Sequence, residues 1–358
     1  MLLFLELEKI IIILVFITSF LLVLLSTPAL IKVALMKRLF DEPDQQRKMH
    51  ERRIPTIGGI IIFAATLFSF SLWYQGENAS LLQYLVATGL LLFFVGVKDD
   101  IIGTAPVKKL LAHFIAAGIL VLMADVRITS LHGLFGVREI PEWASIGLSV
   151  FVYIVIVNSF NLIDGVDGLA SGVGAIASFI FAWWFYKQGS FVMTALALSL
   201  CGALLGFLIF NFSPAKIFMG DSGSLTIGLF MSILAIRLIE FPLSLIHLDY
   251  KLISKPIFVL AILSYPLTDT LRVFIYRTLK GLSPFTADRN HYHHRFQRAG
   301  FSDKQTVLAI YLYSIIMPLL TVALEQLDGT TTFFIVFPAA FLLLEIPLFV
   351  GEKMLKKS

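Results

Sequence analysis

Four polar side chains recur at every third position of the segment NSFNLIDGVDG: Asn158, Asn161, Asp164 and Asp167. The segment directly follows the apolar run IGLSVFVYIVIV. Carboxamide and carboxylate groups are costly to bury at the end of a hydrophobic segment unless something pairs with them. We therefore expect these four groups to bind a partner at the membrane surface.

Further polar clusters border other apolar runs. They are VKDDIIG with Asp99 and Asp100, NFSPAKIFMGDSGS with Asn211 and Asp221, DRNHYHHRF with His291, His293 and His294, and ERRIPTIGG. Neighbouring carboxylates repel one another unless a cation lies between them or one is protonated. Their convergence would suit a hard divalent cation, and Mg²⁺ needs only one or two carboxylates when substrate phosphates complete its shell.

Basic residues accompany the acids and indicate a polyanionic substrate: Lys108, Lys109, Lys216, Arg289 and Arg295. The small residues of GDSGS begin an apolar run, so we expect free backbone amides there that can hold phosphate oxygens. Each cluster also has a plainer interpretation as turn, cap or solvated loop residues. It would be a coincidence if all of these plainer interpretations were correct, because the predicted topology places every cluster on one side of the membrane.

The elements that position these clusters are apolar helices. Of the 358 residues, 58% are hydrophobic and the mean hydropathy is +0.88, against about 45–50% apolar residues in an ordinary domain. The apolar residues fall into stretches of roughly the 17–25 residues that cross a bilayer. We predict an all-α, polytopic integral membrane bundle with about eleven transmembrane helices, forming one integrated domain over residues 1–358. The predicted spans are 9–31, 55–74, 80–97, 108–124, 144–162, 169–186, 191–212, 223–242, 255–276, 306–324 and 331–350.

Charge counting predicts the orientation. Lys and Arg concentrate in residues 32–53 and 277–304, which the positive-inside rule places in the cytoplasm. The N-terminus is then outside and the C-terminus cytoplasmic, and residues 125–143 form an external loop with a small hairpin. All the polar clusters fall on the cytoplasmic face, which predicts a single acid-rich, histidine-lined site. The net charge of +4 needs no nucleic acid to explain it.

Several classes of protein are excluded or disfavoured. The one cysteine, Cys201, excludes a disulfide within the chain, and no GxxxxGK[ST] loop is present for ATP. A secondary transporter stays open as an alternative, although it predicts acids at mid-membrane and internal repeats. A non-enzymatic lipid-binding scaffold is another alternative.

Isolated polar residues have packing interpretations. Asp269 and Arg272, three residues apart, are expected to pair with each other. Asn211 could be an interhelical hydrogen-bonding residue. His113 is expected to be a helix-packing residue, and Glu345 a packing or snorkelling group.

The motifs NSFNLIDGVDGLASG, NFSPAKIFMGDSGS, KDD and DRNHYHHRF resemble, from about residue 30 to 300, the polyprenyl-phosphate N-acetylhexosamine-1-phosphate transferase superfamily. The resemblance implies ten or eleven transmembrane helices and Mg²⁺-dependent transfer, with Mn²⁺ as a substitute, of a sugar 1-phosphate from a UDP-sugar to a polyprenyl phosphate, with release of UMP. The form HYHHR is similar to the UDP-GlcNAc:undecaprenyl-phosphate branch, whereas phospho-MurNAc-pentapeptide translocases resemble PFHHHLE. The translocase activity stays open as an alternative.

The resemblance also implies roles for residues of this chain. Asp99 would be the base towards the lipid phosphate, and Asp100 the second member of that acidic pair and a metal ligand. Asp221 would bind Mg²⁺. The remaining roles are nucleotide contacts by Asn158, Asn161, Asp164, Asp167, Asn211 and Phe218, and diphosphate or sugar contacts by His291, His293, His294, Lys109 and Arg295. The family motif has Gln where this chain has His113, four residues after Lys109.

Further expectations follow from the resemblance. The substrates would be a UDP-N-acetylhexosamine and undecaprenyl phosphate, and the product would begin an envelope polysaccharide such as O-antigen or teichoic acid. The protein would lie in the bacterial inner membrane with its active site facing the cytoplasm. Family members are often homodimers, which no feature of this sequence indicates by itself. Direct transfer and a covalent aspartyl-phosphate pathway both stay open.

Overall fold

The fold, seen in a computed structural model, is helical in the described residues, 2–37, 54–74, 79–282 and 290–355. These residues contain no β-strand, only an isolated β-bridge. Their α-helices are α1 (Leu2–Lys37), α2 (Gly59–Leu72), α3 (Ala79–Ile102), α4 (Pro106–Leu122), α5 (Glu142–Ile163), α6 (Leu169–Lys187), α7 (Phe191–Asn211), α8 (Gly220–Ile239), α9 (Lys255–Ile262), α10 (Ser264–Leu279), α11 (Tyr292–Arg298), α12 (Asp303–Ala323) and α13 (Gly329–Leu355).

The all-α fold class is confirmed. Within the described residues, eight helices are long and apolar enough to cross a membrane, namely α1, α3, α5, α6, α7, α8, α12 and α13. A ninth crossing is counted if α9 and α10, which meet at a bend of 79°, form one span. The protein is therefore a multi-pass membrane protein. The count of eleven spans and the sidedness of the two termini stay predictions.

The chain divides into two compact units. Unit 1 comprises residues 1–127 and 149–234, and unit 2 comprises residues 128–148 and 235–358. The acidic clusters belong to unit 1 and the histidine motif belongs to unit 2. The expectation of one integrated domain, and of one site shared by all the clusters, stays a prediction.

In unit 1, α7 packs against α1 through small residues. A Cβ atom added at Gly202 would lie 2.5 Å from the carbonyl oxygen of Phe16, so only glycine permits this approach of the two backbones. The hydroxyl of Ser19 donates to the carbonyl of Ser199 across the same contact, at 2.6 Å. Small residues and interhelical hydrogen bonds hold helices together where lipid removes the hydrophobic drive for their association.

In unit 2, α12 packs against α9 and α13, and the hydroxyl of Tyr313 donates to the carbonyl of Ala340 on α13. The small hairpin predicted in residues 125–143 is confirmed: Ser130 and Glu139 form an antiparallel bridge. Glu240 accepts hydrogen bonds from the backbone and hydroxyl of Thr129 and so fixes one arm of this hairpin. Its position outside the cell stays a prediction.

Part of the predicted polar pattern lies outside the described residues. This holds for the basic residues between 38 and 53, for the start of the ERRIPTIGG segment, and for Arg289.

Candidate active site

The first turn of α8 organises the polar cluster of unit 1. The carboxylate of Asp100, at the end of α3, accepts the backbone N–H of Asp221 at 2.6 Å and that of Ser222 at 3.0 Å. These N–H groups have no partner within the helix and carry its positive dipole end, so a carboxylate is well placed there. The expectation that phosphate oxygens bind the free amides of α8 is therefore wrong for these two, because Asp100 occupies them.

Backbones surround this turn closely. A Cβ atom at Gly59 would lie 2.0 Å from the backbone nitrogen of Gly223, and one at Gly96 would lie 2.5 Å from Cα of Ser222. The N–H groups of Gly58 and Gly59 donate to the carbonyls of Phe218 and Met219. The beginning of α2, the end of α3 and the beginning of α8 are thereby held together without room for a side chain.

Lys109, on the first turn of α4, lies between two carboxylates. Its ammonium group contacts Oδ2 of Asp221 and lies 3.6 Å from Oδ2 of Asp99. It also lies 3.5 Å from Oδ1 of Asn161. The side chain of Lys109 is only 16% exposed. Among the described residues, the positive charge between these acids is this ammonium group. The predicted divalent cation stays a prediction.

Asn161, on the last turn of α5, joins the same group from the other side. Its amide nitrogen donates to Oδ1 of Asp221 at 2.8 Å and to the hydroxyl of Ser224 at 2.9 Å. Asn158, one turn earlier, donates to the carbonyl of Ile154 and lies 3.4 Å from Nδ1 of His113. The predicted spacing therefore brings both amides onto the face of α5 that meets α4 and α8.

His113 is buried, as a packing residue would be, but it is also next to the site. Its Nδ1 faces Asn158, and its Nε2 is a buried nitrogen without a hydrogen-bond partner in the described residues. It lies one helical turn after Lys109. The sequence predicted a packing residue and did not indicate that His113 lies beside the site. The signal that could have indicated it is its spacing of four residues from Lys109.

Asp164 lies in the loop between α5 and α6. Its carboxylate accepts a hydrogen bond from the backbone of Gly220. Burial raises its pKa to about 7, and the negative charges of Asp100 and Asp167 contribute to the rise. Asp164, Asp100 and Asp167 repel one another when all three are ionised. This arrangement favours a protonated carboxyl group or a bound cation.

Asp167 and Asn211 fix the loop that precedes α6. Asp167 accepts the backbone N–H of Ala215 at 2.8 Å. The amide oxygen of Asn211 accepts from the backbone of Gly168 and from the hydroxyl of Ser171, and its nitrogen donates to the carbonyl of Ile217. Asn211 is 4% exposed. Its amide is thus committed to protein partners, as the interhelical interpretation expected, so the structure makes it a residue that positions the loop.

Phe218 is half-buried in the segment before α8, where its backbone pairs with Pro55 and Gly58. Its predicted contact with the nucleotide stays a prediction.

The histidine motif of unit 2 is built around Asp269 of α10. Oδ2 of Asp269 lies 2.6 Å from Nδ1 of His291, and Oδ1 accepts the backbone N–H of Tyr292 at 2.6 Å. Asp269 is completely buried. The predicted pairing of Asp269 with Arg272 is therefore wrong, because the acid binds the first turn of α11, and Arg272 donates to the carbonyl of Asn290.

The three histidines have different surroundings. The rings of His291 and His293 are stacked, 5.4 Å apart, and His293 is only 1% exposed. Burial lowers the pKa of His293 to about 3, and the other two histidines contribute to this in spite of Asp269. His293 is therefore neutral at pH 7. His294 is half-buried, with Nδ1 3.2 Å from the amide oxygen of Gln297.

Glu345 of α13 holds the motif from a third helix. Both of its oxygens accept from the guanidinium of Arg295, and one lies 3.7 Å from Nε of Arg272. The hydroxyl of Tyr292 also donates to it, at 3.2 Å. Glu345 thus forms ion pairs with two arginines, where a packing or snorkelling group was expected. No local signal could have found these contacts, because the partners lie 50 or more positions away in the chain.

The side chains of this site determine whether it fits a metal ion. In the described part of the chain, no group of three or more His, Cys, Asp or Glu side chains is arranged to hold one. Both oxygens of Asp100 serve the α8 amides, which leaves Oδ2 of Asp221, whose only close partner among the described residues is Lys109. Asp221 and neighbouring Asp99 fit Mg²⁺ if substrate oxygens supply the remaining ligands.

Comparison with known proteins gives concordant matches. The model of glycosyl transferase family 4 matches residues 82–239, which include the acidic pair and the start of α8. A probable undecaprenyl-phosphate N-acetylglucosaminyl 1-phosphate transferase of Bacillus subtilis is 30% identical over 91% of this chain and 88% of its own length. The undecaprenyl-phosphate alpha-N-acetylglucosaminyl 1-phosphate transferase of Salmonella typhi is 32% identical over 80% of this chain and 76% of its own length.

A third relative gives a similar match. The decaprenyl-phosphate N-acetylglucosaminephosphotransferase of Mycolicibacterium smegmatis is 32% identical over 75% of this chain and 71% of its own length. These relatives do not favour the translocase or the transporter alternative. These relatives match most of the chain, and the acidic motifs lie around α8. The chain therefore belongs to glycosyl transferase family 4, in the branch of the polyprenyl-phosphate N-acetylglucosaminyl 1-phosphate transferases.

Proposed function

We propose that this protein transfers GlcNAc 1-phosphate from UDP-GlcNAc to undecaprenyl phosphate and releases UMP, at the cytoplasmic face of the bacterial inner membrane. The observation that carries the proposal is the contact of Lys109 with Asp221 beside Asp99 and Asn161. A charged cluster of this kind is expensive beside a bilayer and is expected at a functional site. The names of the relatives supply the two substrates.

The reaction forms a bond between an oxygen of the lipid phosphate and the β-phosphorus of the donor. The bond from that phosphorus to the bridging oxygen breaks, and UMP leaves with the electron pair. Most of the lipid phosphate is already ionised at neutral pH, since its second pKa is about 6. Asp99 then accepts the last proton or positions the phosphate, and Lys109 offsets charge on the donor diphosphate.

Asp221 would hold Mg²⁺ together with oxygens of the donor. Bound Mg²⁺ supplies positive charge to a diphosphate on which negative charge develops. Asp100 supports the site indirectly, because it fixes the helix turn that carries Asp221. The amide of Asn161 orients the carboxylate of Asp221.

The nucleotide would be bound by the loop that connects α5 and α6. Asp164 in this loop and Asn158 on the preceding α5 are proposed to offer the further hydrogen bonds. Asn211 and Asp167 contribute by holding the loop in shape. In unit 2, His291, His294 and Arg295 are the polar groups proposed to contact the diphosphate or sugar.

The test is transfer of radiolabel from UDP-GlcNAc into lipid that can be extracted into organic solvent. Purified protein is supplied with undecaprenyl phosphate, with Mg²⁺ or with EDTA. UDP-MurNAc-pentapeptide is offered in a parallel reaction. We expect label from UDP-GlcNAc alone, lost in EDTA and restored by Mg²⁺. Label from the pentapeptide donor alone, or transfer unaffected by EDTA, would contradict the proposal.

A matched pair of variants connects the activity to the site. Asp221→Asn removes the proposed metal ligand, whereas Asp328→Asn changes an exposed acid at the start of α13. Only the first should abolish transfer. The aspartyl-phosphate pathway is tested with Asp99→Asn, by measuring lipid-dependent transfer separately from lipid-free exchange of UMP. A trapped phosphoenzyme would replace the direct pathway by the covalent one.

A further inference from the structure

Asp269 is buried in α10 and uses both carboxylate oxygens on the histidine motif. One oxygen lies 2.6 Å from Nδ1 of His291, and the other accepts the backbone N–H of Tyr292. A backbone N–H can only donate, so the second oxygen has a fixed function. The first oxygen can only accept while the carboxylate is ionised, so Nδ1 of His291 carries a hydrogen.

This contact decides which ring nitrogen of His291 is available. With a hydrogen on Nδ1, the neutral ring presents Nε2 as an acceptor, and the protonated ring presents an N–H group there. Among the residues that the structure describes, Nε2 has no hydrogen-bond partner. His293 stacks on the same ring and limits its rotation. The direction of the ring is thus fixed, and Nε2 is the nitrogen that no described residue binds.

We propose that Asp269 is a positioning residue of the transfer reaction, which holds His291 in the Nδ1–H form so that Nε2 meets the donor diphosphate. The inference rests on the proposed function for its substrate. It assigns no contact between Asp269 and the substrate. Asp269 acts through the ring of His291, as an acid does that orients a catalytic or metal-binding histidine from behind.

Replacement of Asp269 by Asn separates this role from packing. Asn has nearly the same shape but only one acceptor oxygen. If that oxygen serves Tyr292, the amide nitrogen points a donor at Nδ1 of His291, and the ring hydrogen must move to Nε2. The structure of α11 is then retained while the ring is in the wrong tautomer.

The first readout is ¹⁵N NMR of histidine-labelled protein without substrate, with the His291 signals assigned from the His291→Gln variant. We expect a protonated Nδ1 and an unprotonated Nε2 in the neutral ring of the wild type, and the reverse in Asp269→Asn. A neutral wild-type ring with its hydrogen on Nε2 and none on Nδ1 would overturn the proposal. This readout does not depend on transfer, and the wild-type spectrum decides even if Asp269→Asn does not fold.

The second readout is a double-mutant cycle on transfer. Asp269→Asn should lower kcat roughly 100-fold, and His291→Gln by at least as much. If Asp269 acts through His291, the double variant is no slower than His291→Gln alone. Losses that multiply would show an independent structural role and refute the inference. Asp328→Asn, which also removes an acid that binds backbone N–H groups at a helix start, is the control and should keep wild-type kcat.

The proposed function and the positioning role of Asp269 can be refuted independently of each other. A wild-type protein that transfers nothing from UDP-GlcNAc contradicts the proposed function, whatever the tautomer of His291. Normal wild-type transfer together with full activity of Asp269→Asn contradicts the positioning role alone.

Discussion

The ammonium group of Lys109 contacts the carboxylate of Asp221 and stands between that acid and Asp99. Lys109 therefore neutralises the two acids that would hold a divalent cation. A cation that binds Asp221 competes with Lys109 unless the lysine turns towards the substrate. A lysine released from Asp221 in this way would be available to the donor diphosphate.

Substitution of Lys109 should separate catalysis from metal affinity. In Lys109→Met, transfer should fall by about 100-fold or more, because a positioned charge near the reacting phosphates is lost. The same variant should need less Mg²⁺ for half of its maximal thermal stabilisation, because two unneutralised carboxylates attract the ion more strongly. Thermal unfolding over a Mg²⁺ titration measures this.

Lys187→Met is the control, since Lys187 is an exposed lysine at the end of α6 that has no proposed role in the site. It should retain wild-type transfer and wild-type Mg²⁺ response. An equal Mg²⁺ response in the two variants would refute the competition between Lys109 and the metal.

The adjacent acids Asp99 and Asp100 should differ in their effect on stability. Asp100→Asn leaves one of two backbone N–H groups without an acceptor, so the free energy of unfolding should fall by about 2 kcal/mol. Asp99→Asn removes only a partly exposed ion pair with Lys109 and should change it by less than about 1 kcal/mol. Denaturant unfolding in detergent measures both. A larger loss for Asp99→Asn than for Asp100→Asn would contradict the assigned cap.

The pKa of Asp164 predicts how stability depends on pH. The folded protein raises this pKa from 3.8 to about 7, so between these values the folded state binds more protons than the unfolded state. This stabilising contribution is complete below the unfolded pKa and is lost as the pH rises through the folded one. In substrate-free protein, Asp164→Asn should therefore become more stable relative to wild type as the pH rises from about 5 to 8.

The pH dependence is measured from unfolding midpoints of both proteins in the same detergent. A difference between wild type and Asp164→Asn that stays constant over this range would show that Asp164 does not titrate in the folded protein with a raised pKa.

Two asparagines predicted to bind the nucleotide should behave differently. Asn211→Ala leaves buried partners at Gly168, Ser171 and Ile217 without hydrogen bonds, so the free energy of unfolding should fall by about 3 kcal/mol. Asn158→Ala affects a half-buried side chain and should cost less than about 1 kcal/mol. If Asn158 contacts the donor, its variant should raise KM instead. Unfolding and steady-state kinetics together distinguish the two, and equal stability losses would contradict the distinction.

The helices were predictable because their signal is local. Each of the eleven predicted apolar stretches overlaps a helix of the structure, although the boundaries moved by several residues. The bend between α9 and α10 was missed. Pro266 follows it by three residues, and a proline ring cannot accommodate the carbonyl of the residue four positions earlier. Proline alone was not a sufficient signal, because Pro318 lies within α12 and Pro338 within α13.

The polar clusters were identified from residue types and spacing, but their partners were not. The rule for residues three apart on a helix connected Asp269 with Arg272. The structure connects Asp269 with a ring and a backbone N–H more than 20 residues away. Similarly, the sequence left the α8 amides free, because nothing local shows that Asp100 reaches them. Contacts between distant segments depend on tertiary packing, which spacing rules do not describe.

The 79° bend between α9 and α10 bears on how often the chain passes through the bilayer. Spanning helices lean by about 20° from the membrane normal on average, and two segments at nearly a right angle cannot both do so. If one of them runs close to the plane of the membrane, the chain can return to the surface that it left. If it does, α9 and α10 contribute no membrane crossing. An odd number of crossings then becomes an even number, and the N-terminus and C-terminus lie on the same face of the membrane.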